Sequence, residues 1–124
     1  MGVVVVPLLS EKEPDDSFIL RLKSAESIFL LYVIDRDKTS TLPAGFMGSQ
    51  IKSAEDYIEK IRSRLTTLSK TGMIDDSIEW GSWLENIETT ARRAQAEKIL
   101  MPKSELTERL QPLLEAKGFA VEVI

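Results

Sequence analysis

Apolar positions along this chain fall into two alternating kinds of segment. Val3–Val6 and Ile28–Ile34 are unbroken apolar runs, the pattern of strands covered on both faces in a parallel sheet. Elsewhere the apolar residues recur at helical spacing. Phe18, Ile19, Leu22 and Ala25 predict a helix over 14–25, with Pro14 suited to its first turn and Asp15 and Asp16 favourable against its dipole. Ile51, Ala54, Ile58, Ile61, Leu65 and Leu68 form one stripe, which predicts a long helix over 49–70. Pro43, Gly45 and Gly48, among Thr and Ser residues, make 36–48 a loop.

The second half continues the alternation. Asp75-Asp76 reads as a turn leading into a short strand over 77–80, with Ile78 and Trp80 on one face. Ser82-Trp83-Leu84-Glu85 matches a capping box and opens a helix to about 95 that buries Leu84, Ile87, Ala91 and Ala94. Lys98–Met101 is a fourth strand, closed by Pro102. Ser104 caps a last helix that turns Leu106, Leu110, Leu113 and Leu114 inward, and Pro112 should kink or divide it. Lys117-Gly118 stops that helix, and Phe119–Ile124 forms the final strand. Helical crossovers between successive strands imply a doubly wound α/β fold, a five-stranded parallel sheet with helices on both faces, as one domain over 1–124.

Composition narrows the chemistry. A chain of 124 residues buries about two-thirds of its unfolded surface, enough to fold without disulfide or metal. With no Cys and no His, thiol chemistry, imidazole catalysis and the usual zinc sites are excluded, and with them every Ser-His-Asp or Cys-His arrangement. A net charge of −4 opposes binding to nucleic acid or to an anionic membrane. The apolar runs fall far below the ~20 residues of a spanning helix, and no basic leader precedes the first. The expectation is a cytoplasmic protein.

Several stretches, taken in order, resemble the universal stress protein family. Val3-Val4-Val5-Val6-Pro7-Leu8-Leu9-Ser10-Glu11 is similar to the family's opening strand and turn, and Leu31-Tyr32-Val33-Ile34-Asp35 to its second strand. Ile78-Glu79-Trp80-Gly81, followed by Ile87, Ala91 and Ala94, resembles the third strand and its helix; Lys98-Ile99-Leu100-Met101-Pro102 resembles the fourth strand. The resemblance implies a sheet order of 3-2-1-4-5 and a Rossmann-like architecture. It also exposes a departure. ATP-binding members follow the fourth strand with a glycine-rich loop ending in Gly-Ser or Gly-Thr, whose amides close around phosphates. Here Pro102-Lys103-Ser104-Glu105-Leu106 stands there with no Gly before Gly118, and the family's early acidic position falls on Leu9. Glu105 and Glu108 would add negative charge beside a phosphate. The resemblance therefore points to the branch without the ATP motif, with no cofactor expected, although ATP or AMP are the ligands to test.

In such a sheet, ligands bind outside the carboxyl ends of the strands where strand order reverses, here between the first and fourth strands. Leu9, Ser10, Val33, Asp35, Lys103 and Ser104 are the candidate ligand-binding residues around it. Lys103 with the start of the last helix could hold an anion; the plainer reading makes Ser104 a cap and Lys103 a solvated side chain. Asp35 and Asp37 could hold a cation or a ribose hydroxyl, but lack calcium-loop spacing, and no metal site is expected. Trp80 and Trp83 bracket Gly81 and could mark an interface; Arg92-Arg93 suits a helix C-terminus. No nucleophile, base and oxyanion donor assemble by spacing, so an enzyme is not expected. Phe119, Val121, Val123 and Ile124 make an apolar edge strand able to pair with a second copy, as family members commonly do. The reading is a homodimeric, stress-related or regulatory interaction module with a possible protein partner. The alternative is a small-molecule or nucleotide binder using Ser10, Lys103 and Ser104.

Overall fold

A computed structural model describes residues 2–9, 16–34, 44–68 and 72–123, with the backbone alone for 44–49. The elements are β1 (Val3–Pro7), α1 (Asp16–Lys23), β2 (Ser27–Ile34), α2 (Ala44–Thr67), β3 (Ile74–Trp80), α3 (Trp83–Ala94), β4 (Ala96–Met101), α4 (Glu105–Ala116) and β5 (Val121–Val123). All strand pairs are parallel, and the sheet order is β3-β2-β1-β4-β5. The chain winds outward from β1 in one direction, then returns and winds outward in the other. Right-handed crossovers therefore place α1 and α2 on one face and α3 and α4 on the opposite face.

Strand periodicity splits the core between those faces. Val4, Val6, Leu8, Ile28, Leu30 and Leu100 pack beneath α1 and α2, against Phe18, Ile19, Leu22, Ile58, Ile61 and Leu65. Val5, Leu31, Val33, Ile99 and Met101 pack beneath α3 and α4, against Ile87, Ala91, Leu110 and Leu114. This double coverage makes β1 and β2 read as continuous apolar runs.

Some boundaries differ from the sequence expectation, each for a physical reason. The stretch expected as loop to residue 48 is already helical from Ala44. The propensity cost of Gly45 and Gly48, about 1 kcal/mol each, is outweighed by continuity with a helix anchored on Ala54, Ile58, Ile61 and Leu65. Asp75-Asp76 is not a turn but the first half of β3, pairing with Phe29 and Leu30. An edge strand bonds on one side only, so it tolerates carboxylates that a central strand would exclude. Pro112 neither divides nor ends α4, which runs from Glu105 to Ala116. Pro112 and Glu108 are both exposed, so water can meet the carbonyl that the proline leaves without its donor. Leu113 is 48% exposed rather than inward, displaced from the apolar stripe that Leu110 and Leu114 define. The strand expected over 119–124 is the shorter Val121–Val123.

Candidate functional site

Where the order reverses, β1 and β4 part. Their last paired residues are Val5 and Ile99. Beyond these, Val6 and Pro7 pair only with Leu30 and Leu31 of β2, while Leu100 and Met101 pair with Glu122 and Val123 of β5. The strand pairing thus ends at the point where topology places a crevice. Leu8 fills one side, buried at 2% and tied to β2 by its N–H on the Leu31 carbonyl at 2.8 Å. Leu9 packs partly into the α3–α4 core, and Val33 is buried in that core at 3% exposure. Both are packing residues. Ser10 and Asp35 lie outside the described residues, as do Asp37 and Ile124.

The far side of the crevice is the start of α4, where a buried residue missed by sequence reasoning organises the turn. Thr107 is 2% exposed, the one buried polar side chain among the described residues. Its hydroxyl donates to the Pro102 carbonyl, and its N–H donates to Ser104 Oγ at 3.1 Å. With the Thr107 proton committed to Pro102, Ser104 is the donor in the 2.8 Å contact between the two hydroxyls. The Ser104 carbonyl accepts the N–H of Glu108 at 3.2 Å. Ser104 therefore spends its hydroxyl proton on closing its own helix. The signal available was Ser-x-x-Thr at the cap and third helical positions, a polar variant of the capping box. Lys103 is exposed beside this closed turn, and Glu105 and Glu108 occupy the first turn of α4. The arrangement favours a stable helix start more than a phosphate seat. Among the described residues, no three acidic side chains are grouped closely enough to hold a metal ion.

On β2, Tyr32 lies edge-on to Tyr57 (centroids 6.5 Å) and tilted against Trp83 (6.2 Å). Trp83 is thus half-buried packing for β2, and Trp80 is likewise half-buried. Arg92 bonds Glu88 at 3.1 Å and stands 5.2 Å from the centroid of the Phe119 ring, which anchors that phenylalanine to the fold.

The two sheet edges differ. At β5, Ile99 donates to the Ala120 carbonyl at 2.8 Å, which sets the hydrogen-bond phase. In a parallel ladder with Ile99 opposite Val121, Ala120 and Glu122 bond inward; Val121 and Val123 present N–H and C=O outward. Among the described residues nothing covers them. At β3, Ile28 donates to Met73 O at 3.0 Å and Gly81 donates to Ile34 O at 3.1 Å, so Ile74, Asp76, Ile78 and Trp80 face outward. Here side chains cap both ends. Arg62 donates to Ile74 O at 2.6 Å, and Asn86 donates to Trp80 O at 3.2 Å.

Behind the β5 edge, Glu122 accepts from Arg21 of α1 and Lys98 of β4, both at 2.7 Å. Hydrogen bonds from Arg21 first and Lys98 second pull its carboxyl pKa down to about 2 from an ordinary 4.5. The pair stabilises the fold fully above pH 4.5, and that stabilisation is lost as pH falls through 2. Because Glu122 is 39% exposed, solvent screens the interaction to about 1 kcal/mol. Glu122→Gln should lower the urea midpoint at pH 7, with the gap to the parent protein narrowing below pH 4.5 and closing as pH falls through 2. A pH-independent gap would show that the charge contributes nothing.

No family model and no curated protein sequence matches the chain. Solved structures do. A universal stress protein family member from Burkholderia pseudomallei is 18% identical, with 99% of this chain and 95% of that chain covered and a TM-score of 0.69. The hypothetical protein MJ0577, also 18% identical, covers 99% and 94% with a TM-score of 0.79. A universal stress protein solved in complex with cAMP is 12% identical, covers 99% and 95%, and has a TM-score of 0.59. These likenesses show the fold: the chain has the architecture of universal stress protein structures, as the order of its elements led us to expect. No helix among the described residues is long and apolar enough to cross a membrane.

Proposed function

We propose that this chain is a divergent universal stress protein of the type that does not hold ATP. In this reading it is a cytoplasmic homodimer joined through β5, and it serves as a stress-related or regulatory interaction module rather than an enzyme. The observation that carries it is the contrast between the edges. Strand β3 carries Asp75, Asp76 and Glu79 and is capped at both ends by Arg62 and Asn86. Among the described residues nothing covers the outward N–H and C=O of Val121 and Val123, and the one carboxylate of β5, Glu122, is already paired with Arg21 and Lys98. Two antiparallel copies of β5 would satisfy those groups around a two-fold axis. Light scattering on the purified protein should return twice the chain mass. Val123→Pro should return a monomer with little change in melting temperature, since the lost N–H points away from β4. A parent monomer at tens of micromolar, or a dimer in the variant, would overturn the assembly.

A second reading has one observation in its favour, the structural neighbour solved with cAMP. It places a nucleotide in the crevice beside Ser10, Lys103 and Ser104. Titration calorimetry with magnesium-ATP, AMP and cAMP separates the two. Absence of heat at millimolar ligand supports the interaction module. Micromolar binding that Lys103→Ala abolishes would replace it with the nucleotide binder.

A further inference from the structure

The face of β3 towards α3 borders a groove of about 350 Å³. Asp75, Ser77 and Glu79 form one wall, Thr90 and Arg93 of α3 the other, and Phe29 lies between them. The alternation follows from register: Asp75, Ser77 and Glu79 pair with Phe29, Leu31 and Val33, and side chains of paired residues share a face. Ser77 spends its hydroxyl on Glu79, while Asp75 and Arg93 have no ion-pair partner among the described residues. Two carboxylates against one guanidinium leave the groove one negative charge.

Above this groove runs the side of β3 that pairs with no strand among the described residues. With Ile74 O and Trp80 O occupied by Arg62 and Asn86, Asp76 and Ile78 each keep an N–H and a C=O facing outward. The open window is therefore short, central and bounded at both ends. On the opposite face Asp76 is already neutralised by Arg62 at 2.6 Å, and Ile78 packs partly into the α1–α2 core.

We infer that this window is a docking strip for a short extended segment of a partner protein that places one basic side chain, flanked by apolar ones, over the groove. An antiparallel strand would exchange both main-chain bonds with Asp76 and with Ile78. Its central residue then lies opposite Ser77, on the groove face and diagonal to Asp75 and Glu79, where a Lys or Arg supplies the missing positive charge. The flanking residues lie opposite Asp76 and Ile78, where an apolar side chain meets Ile78 and no further charge is required. A second copy of this chain does not fit. Pairing β3 with itself about Ser77 sets Asp75 opposite Glu79 twice over, and β5 would bring Glu122. The inference rests on the reading of the chain as an interaction module and names the chemistry of its partner. It does not depend on the β5 dimer.

The test uses the full chain and a capped peptide, Thr-Thr-Val-Lys-Val-Thr-Thr, with a control carrying Glu in place of the Lys. The Lys peptide should bind roughly tenfold or more tightly than the Glu peptide, and its binding should weaken with added salt. Amide exchange should slow at Asp76 and Ile78. Ser77→Lys places a cation in the groove in cis and should abolish binding, while Ser77→Ala should retain it; both should melt near the parent temperature. Equal affinity for the two peptides, no binding by either, or exchange protection confined to β5 or the crevice would overturn the inference. Molecular mass read on the same samples keeps loss of the dimer distinct from loss of the peptide.

Discussion

Leu31→Ala should cost about 3 kcal/mol, measured as a lowered urea midpoint with an unchanged slope. Leu31 is 0% exposed on β2, between β1 and β3, and its side chain packs beneath α3 and α4 with Val33, Ile87 and Ile99. Its backbone is held on the β1 side by register with Pro7 and by the N–H of Leu8 on its carbonyl, and on the β3 side it lies in register with Ser77. A strand fixed in this way cannot slide inward to refill the space, so the lost transfer energy and the cavity both count. A loss below about 1 kcal/mol would show that α3 and α4 close over the gap instead.

Thr107→Val should cost about 2 kcal/mol, a large effect for a change that keeps the side-chain volume. It strands the Pro102 carbonyl and removes the acceptor of the Ser104 hydroxyl, both at the mouth of α4. Unsatisfied partners at a site where the side chain is only 2% exposed cost more than the bonds themselves contribute. Thr107→Ser restores both bonds and should recover most of the loss. If the valine variant melts with the parent protein, water is replacing the hydroxyl and the closed turn is less rigid than its geometry implies.

What could be read without coordinates follows a simple physical division. Val3–Val6 and Ile28–Ile34 announced themselves because strands buried on both faces must be continuously apolar. The cap at Ser82 was legible because its Oγ accepts the Glu85 N–H three residues on, a purely local contact. The full length of β3 was hidden, since Asp76 answers to Arg62 on α2 and Asp75 to a sheet edge that no strand covers among the described residues, neither of which is local. Thr107 was hidden for the same reason in reverse: its partners are near in sequence, but its burial comes from the packing around α4. Leu113 obeyed the hydrophobic pattern and still faces water, because Leu110 and Leu114 already fill the contact available to that helix. Of the candidate ligand residues, Lys103 and Ser104 follow β4 at the start of α4, with Ser104 closing that helix, while Leu9 and Val33 serve the core. The order of elements carried the fold even where few letters agree, as identities of 18% with full-length overlap illustrate.

The unequal edges also set a limit on polymerisation. In the proposed dimer, the joint between two β5 strands uses up both apolar edges. The doubled sheet then ends on each side in a β3 strand bearing Asp75, Asp76 and Glu79, with side chains capping its end carbonyls. Growth by head-to-tail addition would need β5 to accept β3, which sets Glu122 near those carboxylates. Self-association should therefore saturate at two chains rather than climb with concentration into fibrils, leaving solutions clear when crowded.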